Sequence, residues 1–171
     1  LSGLGICYEV KTLPGIEESY PDTLSGEEIP VFIACEKADA YRQTMHSDEL
    51  IITADTIVWL DGLVMGKPED EEDARRMLRC LSGKTHQVIT GVCLTTTEFQ
   101  KSFATVTDVT FAELTEEEID YYVQKYKPMD KAGSYGIQEW IGFVGVEGIT
   151  GSYFNVMGLP IQRLYKELKK L

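Results

Sequence analysis

The stretch LIITADTIVWLDGLVM, residues 50–65, constrains the fold more than any other part of the sequence. Residues 50–60 are mostly β-branched or apolar, which predicts a strand. The Asp-Gly pair at 61–62 is typical of a two-residue hairpin turn, so the Leu-Val-Met that follows should return beside that strand. The sequence therefore predicts an antiparallel hairpin with one carboxylate, Asp55, inside its first strand.

Patterns typical of strands and helices alternate along the rest of the chain. Strands are predicted at 6–13, 85–97 and 101–113, and helices at about 30–45, at about 70–81, after a capping box formed by Thr115 and Glu118, and from near Pro160 onward. The last helix is expected to bury Ile161, Leu164, Tyr165 and Leu168. This alternation, with several hairpins, predicts a single-domain α/β protein with a mixed sheet over the 171 residues.

The charge balance limits the partners of the chain. Twenty-eight acidic residues face sixteen lysines and arginines, which gives a formal net charge of −12. Such a field repels DNA and RNA as extended ligands, whereas a small phosphate compound could still bind at a few lysines with a divalent cation. No apolar run approaches the ~20 residues of a membrane span. We therefore expect neither a long nucleic acid nor a membrane as a partner.

The cysteines indicate a reducing compartment. They are far apart and follow no metal-ligand spacing: Cys7, Cys35, Cys80 and Cys93. We interpret them as reduced thiols of a cytoplasmic protein. Because the chain has only two histidines, a zinc site is not expected.

Asp55 lies in the predicted strand at a position where a charge is unfavourable. Side chains alternate along a strand, so Asp55 shares one face with Thr53 and Ile57, and the opposite face is also mostly apolar. A carboxylate there needs an ion pair, hydrogen bonds or a metal ion to offset its desolvation. Two interpretations remain open: a capped or salt-bridged structural aspartate, or a base or metal ligand at a cleft.

Two lysines are also out of place. On a helical wheel Lys37 falls within the apolar arc of the helix at 30–45, so it either snorkels to the surface or points its ammonium into a polar cleft. Lys67 follows the short returning strand in GLVMGKP, which is not a P-loop because the glycine spacing is wrong and Pro68 replaces Ser or Thr. Lys67 is either solvated or held by the hairpin near Asp55.

Polar residues also mark two loops. Glu17 and Glu18 form an acidic pair after Pro-Gly, where plain solvent exposure is the alternative to a role in a site. The glycine-rich stretch AGSYGI lies between Asp130-Lys131 and Gln138, and its backbone allows a ligand to approach closely. Gln138 offers both a donor and an acceptor, which suit the edge of a nucleobase.

Six stretches together resemble the Maf family of nucleoside triphosphate pyrophosphatases, first known as septum-formation inhibitors. They are GIEES, ACEKADA, ADTIV, GKPEDEEDARRMLRCLSGKTHQVITGV, DKAGSYGIQ and GSYFNVMGLP, and they follow the family's order over most of the chain. The resemblance implies an elongated mixed sheet with flanking helices and two lobes around a central cleft, as in ITPase-like folds.

The resemblance also implies residue roles. Asp55 would be the general base that activates water, and Lys37 and Lys67 would line the phosphate cleft. Glu18 would be a metal ligand with help from Asp55, and the cofactor would be Mg²⁺ or Mn²⁺.

Substrate choice and assembly follow from the same resemblance. Thr56 and Gln138 resemble the subgroup of the family that acts on dTTP and UTP, so both are expected at the substrate. The family also opens with a strand and a Ser-x-Ser-Pro-Arg-Arg turn whose arginines contact phosphate. This motif is not in the sequence, and we expect a native N-terminal segment to precede Leu1. A homodimer is one expected assembly, because dimers are common in the family.

These features predict hydrolysis of nucleoside triphosphates, with dTTP and UTP preferred, to the monophosphate and pyrophosphate. Two alternatives remain open. One is a pyrophosphatase for modified or non-standard nucleotides, and the other is a non-catalytic nucleotide-binding regulator of cell division.

Overall fold

The computed structural model of the chain describes residues 1–16 and 18–171. Five strands occur in that part of the chain: Ile51–Leu60 (β1), Leu63–Met65 (β2), Thr85–Thr95 (β3), Gln100–Phe111 (β4) and Val146–Thr150 (β5). They form one sheet in the spatial order β2-β1-β3-β4-β5. The α-helices are Glu28–Arg42 (α1), Glu71–Leu81 (α2), Glu116–Tyr126 (α3), Trp140–Gly145 (α4), Tyr153–Val156 (α5) and Ile161–Leu168 (α6). Across the described ranges, every helix is too short or too polar to serve as a membrane span.

The predicted Asp-Gly turn closes the hairpin between β1 and β2. Both turn residues have a positive φ, 51° at Asp61 and 80° at Gly62, which matches the twist of the flanking strands. β2 is short and pairs only with residues 58–60 of β1. Within the described residues, the edge of β1 opposite β3 therefore has no strand partner from 51 to 57.

The sheet carries an apolar core on each face. Helix α1 packs closely on one face because β3 has a glycine there; a side chain at Gly91 would collide with the backbone of Pro30 and Val31. The core on that face consists of Ile29, Ile33, Ile57 and Ile89. The larger core on the other face combines the sheet with α2 and α3, and includes Val58, Leu78, Val88, Phe111 and Tyr122. The sheet therefore lies between two packed layers, and the predicted division into two lobes stays a prediction.

The α/β class with flanking helices is confirmed, and so is the capping box of α3. The strand predicted at 6–13 is wrong. These residues form no strand, and both Tyr8 and Val10 are exposed, so the alternating pattern there does not mark a buried face. Every pairing among the described strands is antiparallel, which differs from the predicted mixed sheet. Two hairpins, the passage through α2 and the passage through α3 and α4 each return a strand antiparallel to its neighbour.

Helix α6 buries part of the predicted face, since the half-buried Leu168 packs against the same core cluster as Leu164. Leu164 is buried as expected, but Tyr165 is 46% exposed while Glu167 is 2% exposed. The Glu167 carboxylate is paired with Lys101 at 2.5 Å and Arg163 at 2.9 Å. Hydrogen bonds from these two residues lower the pKa of Glu167 to about 2. The periodicity of apolar residues cannot reveal a buried acid whose charge is compensated by Lys101 of another element and by Arg163 of the same helix.

Candidate active site

A cleft of about 710 Å³ opens beside residues 54–58 of β1, most of which have no strand partner on that edge. This volume falls in the range of small-molecule sites. Its walls come from α1, the end of β2, the glycine-rich segment 130–138 and the residues 156–158 at the end of α5. Every residue predicted for the site lines this cleft: Glu18, Lys37, Asp55, Thr56, Lys67 and Gln138.

Asp55 faces α1 from the middle of β1. It is paired in register with Gly91 of β3, and its side chain is 12% exposed. Its Oδ1 atom lies 3.4 Å from Nζ of Lys37, which is also 3.3 Å from the carbonyl oxygen of Ala54 and 3.1 Å from Oε1 of Glu18. Asp55 is therefore salt-bridged and also faces a cleft.

The surroundings of Asp55 change its proton affinity. Burial raises the pKa of Asp55 above its usual value; the positive charge of Lys37 opposes this rise, the carboxylate of Glu18 adds to it, and Lys67 opposes it more weakly. A carboxylate with a raised pKa is a stronger proton acceptor near neutral pH. The shift is in the direction that would favour a general base.

Lys37 lines the cleft because it lies on the side of α1 that packs against the sheet. It follows Ile33 by about one turn and lies beside the apolar stripe, whereas Glu36 and Asp39 face solvent. A snorkelling lysine would bring its ammonium to water, but Lys37 is 22% exposed and contacts two carboxylates. The structure therefore favours the inward-pointing interpretation.

Lys67 is placed by contacts between the hairpin and the glycine-rich segment. The N–H of Gly133 donates to the carbonyl oxygen of Gly66 at 3.1 Å. Gly133 has φ of 70° and lies so close to Val58 that an added Cβ would be 2.6 Å from its Cγ2, so only glycine allows this approach. The turn that carries Lys67 is consequently near enough to Asp55 for its charge to act there.

Thr56 and Gln138 lie elsewhere in the cleft. Thr56 points to the face of β1 opposite Asp55, and its Oγ1 lies 2.8 Å from Oγ1 of Thr90 and 3.4 Å from the carbonyl oxygen of Gly158. Gln138 has an exposed side chain at the rim. The cleft thus wraps around the edge of β1 and uses both faces of the strand.

Two charged residues of the cleft received no role from the sequence. Asp130 and Lys131 both line it, with Lys131 Nζ 3.2 Å from Asp130 and 3.8 Å from Glu139. A side chain at Gly136 would come within 2.8 Å of Lys131 Cε. The sequence feature that could have indicated a role for Asp130 and Lys131 is their position directly before a glycine-rich stretch. That stretch lies beside the β1–β2 hairpin only in the folded chain.

The carboxylates that could hold a metal ion are few. Within the described residues, no three His, Cys, Asp or Glu side chains come together as a metal site, and Glu17 lies outside those residues. Glu18 and Asp55 nevertheless share one cation already, the ammonium of Lys37. Two carboxylates fit Mg²⁺ or Mn²⁺, because such ions usually complete their shell with water and substrate phosphates.

The fold and the cleft define a class of protein. It is an α/β protein with a small-molecule cleft in which lysines face carboxylates, namely Lys37, Lys67 and Lys131 against Glu18, Asp55 and Asp130. Such a lining suits an anionic ligand that binds with or without a cation. Comparison with known families is more specific: the chain matches the family described as Maf-like protein over residues 1–171, and it belongs to that family.

Several relatives carry the name dTTP/UTP pyrophosphatase. The one from Phocaeicola vulgatus is 81% identical over 171 residues, which cover 100% of this chain and 89% of the relative. The one from Bacteroides fragilis is 70% identical with the same coverage. The one from Porphyromonas gingivalis is 54% identical and covers 99% of this chain and 86% of the relative. The resemblance drawn from short stretches of sequence is thereby confirmed.

Proposed function

We propose that the chain hydrolyses nucleoside triphosphates, with dTTP and UTP preferred, to the monophosphate and pyrophosphate. The observation that carries the proposal is the convergence of Asp55, Lys37 and Lys67 in one cleft of suitable size. The names of the relatives support the same reaction.

Asp55 acts as the general base. Its carboxylate takes a proton from a water molecule, and the water oxygen attacks the α-phosphorus while the bond from that phosphorus to the bridging oxygen breaks. The water oxygen ends in the monophosphate, and the bridging oxygen leaves with pyrophosphate. The raised pKa of Asp55 supports this role, because a stronger base removes the proton more readily.

Lys37 and Lys67 hold the phosphates. The ammonium of Lys37 is paired with Asp55 and Glu18, so a triphosphate competes with these carboxylates for the same cation. When Lys37 turns to a phosphate oxygen, the Asp55 carboxylate loses a partner and is free to accept a proton. Both lysines also stabilise the negative charge that develops on the leaving pyrophosphate.

A divalent cation fits beside Glu18 and Asp55, whose oxygens are ligands suited to Mg²⁺ or Mn²⁺. A cation held by these carboxylates would offset phosphate charge and supply Lewis-acid chemistry. Glu18 is the more accessible of the two carboxylates, with 49% of its side chain exposed against 12% for Asp55, and we assign it the larger part in holding the ion.

Gln138 contributes to base choice from the rim of the cleft, and Thr56 contributes from the face opposite Asp55. Uracil and thymine present an acceptor, a donor and a second acceptor along one edge, and an amide can pair with part of that pattern. A site that relies on such bonds disfavours a base that leaves them unmade.

The test is product analysis with the full-length protein, Mg²⁺ and a panel of common and modified nucleoside triphosphates. We expect equal amounts of monophosphate and pyrophosphate, released fastest from dTTP and UTP. Release of diphosphate and phosphate would contradict the reaction. Fastest turnover of a modified nucleotide would favour the second substrate class, and binding without turnover would favour a regulator.

A further inference from the structure

The wall of the cleft on the Thr56 side is formed by α5 and the residues after it. Val156, Met157 and Gly158 line the cleft there. This segment is apolar, whereas the Asp55 side carries two carboxylates and a lysine. The position of the segment relative to β1 sets the width of the cleft on its apolar side.

Two threonine hydroxyls join this wall to the sheet. Oγ1 of Thr56 lies 2.8 Å from Oγ1 of Thr90 and 3.4 Å from the carbonyl oxygen of Gly158. Thr90 is fully buried, and its Oγ1 also lies 3.4 Å from the carbonyl oxygen of Asn155. Each hydroxyl has a single proton, so either Thr90 donates to Thr56 and Thr56 to Gly158, or Thr56 donates to Thr90 and Thr90 to Asn155. A carbonyl of this segment therefore accepts a bond in either arrangement, that of Gly158 in the first and that of Asn155 in the second.

Asn155 fixes the other end of the same segment. It is fully buried, and its Nδ2 lies 2.9 Å from Thr107 Oγ1, 3.0 Å from the carbonyl oxygen of Thr105 and 3.2 Å from that of Val88. Helix α5 has only four residues, so its own backbone bonds contribute little to holding it in place. Its position therefore depends on these side-chain bonds to β3 and β4.

We propose that Thr56 and Thr90 are positioning residues that set the apolar wall of the cleft, and that this wall receives the nucleoside. The second part rests on the proposed pyrophosphatase function. The triphosphate is drawn to the lysines, which leaves the apolar wall for the base and sugar. Thr56 then influences nucleotide binding through Gly158, because its hydroxyl is already engaged with protein atoms.

Steady-state kinetics of paired variants separate positioning from direct contact. In Thr56→Val and Thr90→Val, KM for dTTP should rise about three- to tenfold, as one lost hydrogen bond predicts, with kcat nearly unchanged. Thr90→Ser keeps the hydroxyl and should behave as the wild type. Thr85→Val is the matched control, because Thr85 forms an equivalent 2.8 Å pair with Thr110 at an exposed position of β3 and β4.

Thr90 decides the outcome because it is fully buried and cannot touch a ligand. If Thr90→Val kept the wild-type KM while Thr56→Val lost affinity, Thr56 would contact the substrate directly and the positioning role would be refuted. A loss of kcat at constant KM in both variants would also overturn it.

Amide hydrogen exchange of the protein alone tests the positioning without any substrate. Both valine variants should accelerate exchange in residues 156–159, where the Gly158 amide bonds to the Asn155 carbonyl at 3.0 Å, and should leave 131–137 unchanged. Unchanged exchange at 156–159 would refute the positioning role. This result is independent of turnover, so it stands even if the wild type hydrolyses no nucleotide. If Thr90→Val does not fold, Thr56→Val at its partly exposed position provides the same exchange test.

Discussion

Lys37 of α1 and Asp55 of β1 face each other in the cleft, with 3.4 Å between Nζ and Oδ1. Both side chains are largely shielded from water, so the attraction between them is screened less than at a surface. The proposed base and a proposed phosphate ligand therefore form an ion pair with each other.

Replacing Lys37 with Met keeps the apolar stem and removes the charge. We expect kcat/KM for dTTP to fall about tenfold or more, since a hydrogen bond to a charged group contributes roughly 1.5–3 kcal/mol. The pKa of Asp55 should also rise, because Lys37 opposes the effect of burial on that carboxyl. The acidic limb of the pH–rate profile should therefore move to higher pH.

Two comparisons make the Lys37 experiment specific. Lys67→Ala should weaken triphosphate binding but move the acidic limb less, because Lys67 acts more weakly on Asp55. Lys84→Met removes an exposed lysine directly before β3. It should change neither triphosphate binding nor the position of the acidic limb. Wild-type kinetics and pH profile in Lys37→Met would refute its role.

Chelation of divalent cations should abolish turnover while the thermal unfolding temperature stays almost constant. Glu18→Gln should raise the Mg²⁺ concentration for half-maximal rate by about tenfold or more, as loss of a metal ligand predicts. Glu36→Gln on the outer face of α1 is the control and should not change it. Full activity in excess chelator would contradict the metal role of Glu18 and Asp55.

Gln138→Ala should reduce the preference for dTTP and UTP over other nucleotides more than it lowers the best rate. A polar group left unpaired in the complex costs about 1–3 kcal/mol, so the ratio of kcat/KM values should narrow about fivefold or more. Competition between dTTP and dCTP in one reaction measures that ratio directly. Gln162→Ala, on the exposed side of α6, is the control. An unchanged ratio would remove Gln138 from base recognition.

His86 gives the fold a dependence on pH. It is buried beside Tyr135, with Nε2 2.7 Å from the tyrosine oxygen, and burial lowers the pKa of His86 to about 4. The unfolded chain binds this proton near pH 6.5, so stability should be lost as the pH falls from 6.5 towards 4. Between pH 7.5 and 5 this group alone should reduce the free energy of unfolding by about 2 kcal/mol.

Urea unfolding of two variants isolates that contribution. His86→Gln should flatten the loss of stability between pH 7.5 and 5, whereas His46→Gln, which changes the other, exposed histidine, should retain the wild-type slope. Equal slopes in all three proteins would show that His86 does not titrate differently on folding.

Local patterns predicted those parts of the fold that depend on residues close in sequence. The hairpin at Asp61-Gly62 and the capping box at Thr115 and Glu118 are such cases, and both are confirmed. The charge of Asp55 in an apolar strand also indicated either a salt bridge or a cleft, since a buried carboxylate needs a partner, and the structure shows both. These signals require no knowledge of the rest of the chain.

Other features depend on residues that only the fold brings together. The burial of Glu167 requires Lys101 of β4, and the close approach of Gly133 to Val58 joins segments far apart in the chain. The bond from Thr56 to Thr90 likewise depends on the register of β1 and β3. Periodicity and composition carry no record of such pairs, which is why the site's apolar wall and Lys131 were not predicted.

The role of Asp55 is tested most directly by pyrophosphate release from dTTP, measured for the wild type and Asp55→Asn at saturating nucleotide and Mg²⁺. The asparagine keeps the shape of the side chain and removes the proton acceptor. We predict a fall in rate of about 10²- to 10⁴-fold, the usual contribution of a general base, with dTTP binding reduced far less. Turnover by Asp55→Asn close to that of the wild type would contradict the assignment of Asp55 as the base.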